Sequence, residues 1–85
     1  MEIEYPKRFL REVRNLPLNE QLLLSQKIEI FKKNPQDPKL RTHQLTGKLK
    51  QFFPFSLTYS KRVLFIGDKG KYIFIAVGSN DQMYR

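Results

Sequence analysis

Residues 53–77 read FPFSLTYSKRVLFIGDKGKYIFIAV, and this stretch decides the fold. Phe53, Phe55, Leu57 and Tyr59 alternate with Pro54, Ser56, Thr58 and Ser60, the two-residue period of a strand with one face wet. Pro54 has no N–H to give a ladder, so an edge or a bulge is expected there. Val63 to Ile66 and Tyr72 to Val77 are apolar at every position, as central strands lying under helices are. Gly67-Asp68-Lys69-Gly70 between them carries the signals of a hairpin turn.

Upstream of this stretch the period lengthens. Phe9, Val13 and Leu16 fall at i, i+4 and i+7 with Leu10 beside them, after Pro6 and before Pro17, which predicts a short amphipathic helix. Its polar face carries Lys7, Arg11 and Arg14. Asn19 reads as the N-cap of a second helix, with Leu18 packing on Leu23 as a hydrophobic staple. Leu24, Ile28 and Phe31, widened by Leu23 and Ile30, give that helix its apolar stripe until Lys33-Asn34-Pro35 ends it. The Pro17-Leu18 link makes the pair a helical hairpin. Ile3 and Tyr5, alternating with Glu2 and Glu4, suit a short N-terminal strand. Two prolines, Asp37, Thr42, Thr46 and Gly47 mark a loop from Asn34 to Lys48. The expectation is one small α+β domain over residues 1–85, in the order β-α-α-β-β-β, with an antiparallel sheet packed on the hairpin.

The charge is concentrated in the middle of the chain. Residues 32 to 71 hold ten Lys or Arg against Asp37 and Asp68, which accounts for the whole formal net charge of +8. The first 31 residues balance, and Asp81 offsets Arg85. A positive excess confined to one stretch is the footprint of a surface that meets phosphates or an acidic partner. With no cysteine, a disulfide framework, a thiolate metal site and a cysteine nucleophile are all excluded. The N-terminus is acidic rather than basic and then apolar. No apolar run nears the roughly 18 residues that cross a bilayer. The chain therefore reads as cytoplasmic and unprocessed, with no membrane partner.

His43 is the only histidine, so a two-histidine acid–base pair and a histidine metal site are ruled out. Asp37, Asp68 and Asp81 are scattered, which speaks against two-metal hydrolysis. Gly67 and Gly70 flank a hairpin rather than open a helix, so no phosphate-binding glycine loop is present. Cations, one imidazole and several tyrosines around a sheet remain. Such a set can cleave RNA without metal or cofactor: cations stabilise the phosphorane and favour ionisation of the attacking 2′-hydroxyl, while a Tyr or His shuttles protons.

Four pieces then occur in order: His43-Gln44-Leu45-Thr46-Gly47, a basic aromatic strand, Ser60-Lys61-Arg62-Val63-Leu64-Phe65, and Val77-Gly78-Ser79-Asn80-Asp81-Gln82-Met83-Tyr84. This combination, with the helical hairpin before it, resembles the RelE/ParE toxin superfamily, particularly its YafQ-like branch. The resemblance covers nearly the whole chain. It implies the toxin half of a bacterial type II toxin–antitoxin pair: an endoribonuclease that cuts mRNA in the ribosomal A site, leaves a 2′,3′-cyclic phosphate, needs no cofactor, and is neutralised by a cognate acidic antitoxin. Operator DNA would be met only through that antitoxin. Position by position, Arg62 matches the arginine that holds the scissile phosphate. Tyr84 matches the aromatic residue near the 2′-hydroxyl, and His43 the loop histidine of the site. Lys48 and Lys50, with Lys61, fall among the phosphate-binding positions; Lys48 and Lys50 would share one face if a strand began there. Asn80 stands where this branch usually has histidine. An amide can hydrogen-bond substrate but cannot act as acid or base, so Asn80 predicts weakened cleavage.

Plainer roles compete for the same residues. Arg62 could be an ordinary exposed strand arginine, His43 a turn residue, Tyr84 packing for the last residues, and the lysines solvated charges. Two other functional classes stay open: a ParE-like toxin that inhibits gyrase without cutting, and a silent homologue that only binds its antitoxin. His43 and the Arg62–Tyr84 pair argue against the first, and Asn80 favours the second.

Overall fold

The computed structural model describes residues 1–79. Its elements run β1 (Glu2–Glu4), α1 (Lys7–Arg14), α2 (Leu18–Lys33), 3-10 turns at Pro38–Leu40 and Gly47–Leu49, β2 (Phe53–Ser56), β3 (Lys61–Asp68) and β4 (Lys71–Ser79). No helix among the described residues is long and apolar enough to cross a membrane.

The sheet has the order β1-β4-β3-β2. As the apolar runs dictate, β3 and β4 lie in its middle and pair antiparallel, from Lys61 opposite Ser79 to Asp68 opposite Lys71. They turn through Lys69 and Gly70, both at positive φ (51° and 86°), the two-residue turn whose twist matches that of the strands. Between Leu64 and Phe65 the register shifts by one, leaving Ile75 as an extra residue in β4. β2 pairs antiparallel with β3. β1 departs from the antiparallel expectation: it joins the far edge parallel to β4, with Ile3 opposite Tyr72, so the sheet is mixed.

β2 is an edge strand, as Pro54 requires. The Pro54 carbonyl accepts from the His43 N–H at 3.4 Å on the side away from β3, so the missing N–H of the same residue costs the β3 ladder nothing. The strand stops at Ser56 rather than continuing to Tyr59. Leu57 and Thr58 both donate their N–H groups to the Lys61 carbonyl, at 3.0 and 3.2 Å, and Thr58 Oγ1 accepts from Lys61 N at 3.1 Å. Local Thr turn chemistry wins over the alternating pattern. The wet face expected for β2 is also not wet at Pro54, which is fully buried.

The core lies between the sheet and the helices. Phe31 of α2 is at its centre, with ring centroids 4.9 Å from Phe65, 4.9 Å from Tyr72, 5.1 Å from Phe74 and 5.8 Å from Phe55, three of them edge-to-face contacts that aromatic quadrupoles favour. Phe9 brings α1 onto Phe74 at 5.6 Å. Pro17, not Asn19, caps α2: its carbonyl accepts from Glu20 and Gln21 at 2.9 and 3.0 Å. Proline at φ −54° already presents that carbonyl, so the helix starts earlier. Leu18, 71% exposed, forms no staple. Beyond the point where β1 ends, Glu12 of α1 accepts from the Val77 N–H at 3.1 Å, capping the outer side of β4.

Alternation along the strands divides the sheet. Phe55, Val63, Phe65, Phe74 and Val77 face the helices within the core cluster; Ser56, Arg62, Leu64, Ala76 and Gly78 face away. Leu64 and Ala76 are nonetheless buried and stand outside that cluster.

Candidate functional site

Arg62 lies in a short row across three strands. It pairs with Ser56 of β2 on one side and Gly78 of β4 on the other. Both neighbours are small, so neither cross-strand partner crowds the guanidinium where it leaves the sheet. The side chain is half-buried and reaches along the edge to the 57–60 turn, where Nη1 donates to the carbonyls of Thr58 (2.9 Å), Tyr59 (3.1 Å) and Lys61 (3.2 Å). One nitrogen thus holds the turn, while the guanidinium fork has further donors for a ligand.

Arg62 forms one wall of a groove of about 840 Å³ at the β2 end of the sheet. α2 contributes Lys27, the Pro38–Leu40 turn contributes Lys39, and the residue capping that turn is Arg41. Arg41 adopts left-handed φ of 52° at the end of that turn, where the chain must reverse direction. Lys27 Nζ donates to the Lys39 carbonyl at 3.3 Å, tying helix to turn. Among the described residues no carboxylate lines the groove, and Asp37 nearby spends Oδ1 on the Lys39 N–H at 2.9 Å. Tyr59, 99% exposed, stands at the lip.

The remaining sites expected from sequence are distributed unevenly. His43, Lys48 and Lys50 are exposed and belong to one loop along the outer edge of β2. Backbone bonds from His43 to Pro54 and from Leu45 to Phe52, both 3.4 Å, hold the loop there. Gln44 Nε2 closes it on the Lys50 carbonyl at 2.8 Å. Lys48 and Lys50 are in and just after a 3-10 turn rather than a strand, so strand alternation does not place them on one face. From the register, the His43 backbone is two strands across and two residues along from Arg62, about 12 Å away.

Lys61 is not brought to Arg62. It points to the helix side and its ammonium is 2.5 Å from Glu20 Oε1, which neutralises the charge a phosphate would need. Asn80 and Tyr84 lie outside the described residues. Lys27, Lys39, Arg41 and Tyr59 were not singled out from sequence. The only hint was the basic Lys39-Leu40-Arg41 run after Pro38; Tyr59 read as one more inward residue of β2.

No protein-family model matches the chain, and no curated protein matches it in sequence. Solved structures do match in shape. A copper-bound mutant toxin from Helicobacter pylori has a TM-score of 0.80 at 23% identity, covering 98% of each chain. YafQ from E. coli superposes with 0.73 at 17% identity over 99% of this chain and 98% of its own. The toxin in the RelB–RelE antitoxin–toxin complex from Methanococcus jannaschii gives 0.77 at 16%, with 95% and 94% covered. The fold is that of the RelE/ParE toxins.

Proposed function

We propose that this chain is the toxin of a toxin–antitoxin pair and an endoribonuclease that cuts mRNA bound in the ribosomal A site. The observation that carries the proposal is Arg62: a small α+β chain with the toxin fold over almost its full length holds an arginine between Ser56 and Gly78, at a groove whose described residues include four cations and no carboxylate. That environment suits a phosphodiester.

In the reaction the 2′-oxygen attacks the adjacent phosphorus, the bond from phosphorus to the 5′-oxygen breaks, and a 2′,3′-cyclic phosphate and a 5′-hydroxyl result. The 2′-hydroxyl gives up one proton and the leaving 5′-oxygen takes one up, so a single group that accepts the first and returns it closes the balance. Arg62 contributes charge to the phosphorane through donors not committed to the turn. His43 is the proton carrier on the β2 side, and Lys48 and Lys50 in the same loop attract the flanking phosphates. Tyr84 orients the 2′-hydroxyl, and Asn80 hydrogen-bonds substrate without exchanging a proton. Lys61 stays with Glu20 and is left out of this set. With no strong acid–base pair, alignment of the substrate falls to the ribosome, and free RNA should be cut poorly. A cognate acidic antitoxin, itself the only route to operator DNA, covers the basic surface, and the protein works in the cytoplasm.

Cleavage of a defined mRNA on a programmed ribosome with an empty A site tests this. The native chain should cut, and Arg62→Ala and Tyr84→Ala should abolish cutting. Asn80 supports a second reading, a disarmed homologue that retains antitoxin binding; cutting by Asn80→His alone would establish it. No cutting by any variant would remove the nuclease assignment.

A further inference from the structure

The Tyr59 ring serves no purpose in the packing. A tyrosine 99% exposed forgoes the burial that makes aromatic residues useful to a fold, and among the described residues its ring stacks on no other. Yet the backbone that carries it is well held, by Nη1 of Arg62 on its own carbonyl and on that of Thr58 and by the Lys61 bonds to Leu57 and Thr58. A rigid turn thus presents a free aromatic face at the lip of the groove. Lys27, Lys39 and Arg41 line the same groove, brought from two separate segments, and the bond from Lys27 Nζ to the Lys39 backbone carbonyl fixes the Lys27 ammonium beside the turn that carries the other two.

We infer that this groove is a single-stranded RNA subsite, in which Lys27, Lys39 and Arg41 hold successive phosphates and Tyr59 stacks on an unpaired base. The inference rests on the nuclease reading for the identity of the nucleic acid, since Arg62 is common to both. Stacking on an exposed ring needs a base that is splayed out, which a duplex does not offer. An acidic peptide would use the cations equally well but gains little from an upright, isolated ring. The RNA strand would therefore extend from Arg62 along α2, away from His43 and the 43–50 loop.

The test is binding of a fluorescein-labelled, twelve-nucleotide 2′-O-methyl oligouridine, which lacks the attacking hydroxyl and cannot be cut. Anisotropy should show salt-dependent binding, weakened about tenfold or more by Tyr59→Ala and within about twofold of native for Tyr59→Phe. Lys27→Ala with Lys39→Ala should flatten the plot of log affinity against log salt by roughly 0.7 for each phosphate no longer neutralised. Tyr59 is at the surface, so melting curves of its variants should overlay the native curve. Failure of the native protein to bind at about 50 mM salt, or equal binding by Tyr59→Ala, would overturn the subsite. So would lysine-dependent binding of a glutamate-rich peptide by a native protein that does not bind the oligonucleotide. Because the probe cannot react, Tyr59-dependent binding without cleavage on the ribosome would leave the subsite standing and remove the nuclease assignment; the reverse pattern would do the opposite.

Discussion

Replacing Arg62 with alanine should destabilise the protein as well as disarm it, and the two effects can be separated. Nη1 lies within 2.9, 3.1 and 3.2 Å of three carbonyls in and beside the 57–60 turn. It carries only two hydrogens, so the three contacts amount to no more than two full bonds. A hydrogen bond involving a charged group contributes about 1.5–3 kcal/mol when well made. With the guanidinium half-buried and its donors shared, about 1.5 kcal/mol for the set is reasonable. For a domain of this size that is a fall in Tm of about 6–12 °C. Arg62→Lys keeps the charge but replaces the planar fork with a point donor on a shorter reach, so it should melt between native and Arg62→Ala. Thermal unfolding followed by circular dichroism reads both. A melting point for Arg62→Ala within about 2 °C of native would show that Thr58 and Lys61 hold the turn unaided and that the arginine is free for substrate alone.

Phe31→Ala should remove about 3–5 kcal/mol from a total of about 4–13 kcal/mol expected at this length, and calorimetry should show the cooperative transition weakened or lost. A Cβ at Gly67, where φ is 124°, would meet the Lys71 carbonyl oxygen at 2.1 Å, whereas one at Gly70 meets nothing within 4 Å. Urea unfolding should accordingly place Gly67→Ala well below Gly70→Ala, which loses only about 1–2 kcal/mol to its left-handed backbone. Glu20 and Lys61 are 19% and 27% exposed, so Glu20→Gln should cost about 1–2 kcal/mol, less than a fully buried pair would lose. A double-mutant cycle with Lys61→Met should give a coupling above about 0.5 kcal/mol; additivity would mean the pair is idle.

The central hairpin was legible because Val63 to Ile66 and Tyr72 to Val77 leave no polar position for a wet face, and Lys69-Gly70 has the right turn chemistry. Pro54 correctly marked an edge because a missing donor has one physical consequence wherever it occurs. Tyr59 misled because Thr58 offers the backbone an alternative bond that a hydrophobic pattern does not register. Asn19 did so because Pro17 supplied a start two residues earlier. Among candidate site residues, Arg62 could be picked out through the strand motif around it. The engagement of Lys61 with Glu20 was not, since the two are joined only when α2 packs across β3. Lys27, Lys39 and Arg41 share a groove for the same reason, and no local pattern links a mid-helix lysine to a loop arginine. Whether β1 would pair parallel, and with which strand, depends on the path of the whole chain.

That path bears on how the protein is made. β1 is synthesised before α1, α2, β2 and β3, whereas its partner among the described residues, residues 71–73 of β4, comes after them all. Phe31 likewise waits for Phe65, Tyr72 and Phe74 to complete its cage. Contacts this distant in sequence form late and cannot repay their loop-closure cost until β4 has been made. A nascent chain halted before Lys71 should therefore show no cooperative unfolding and full protease sensitivity. Whatever this surface binds would then be met only once β4 is in place, since the same pairing sets Arg62 between Ser56 and Gly78.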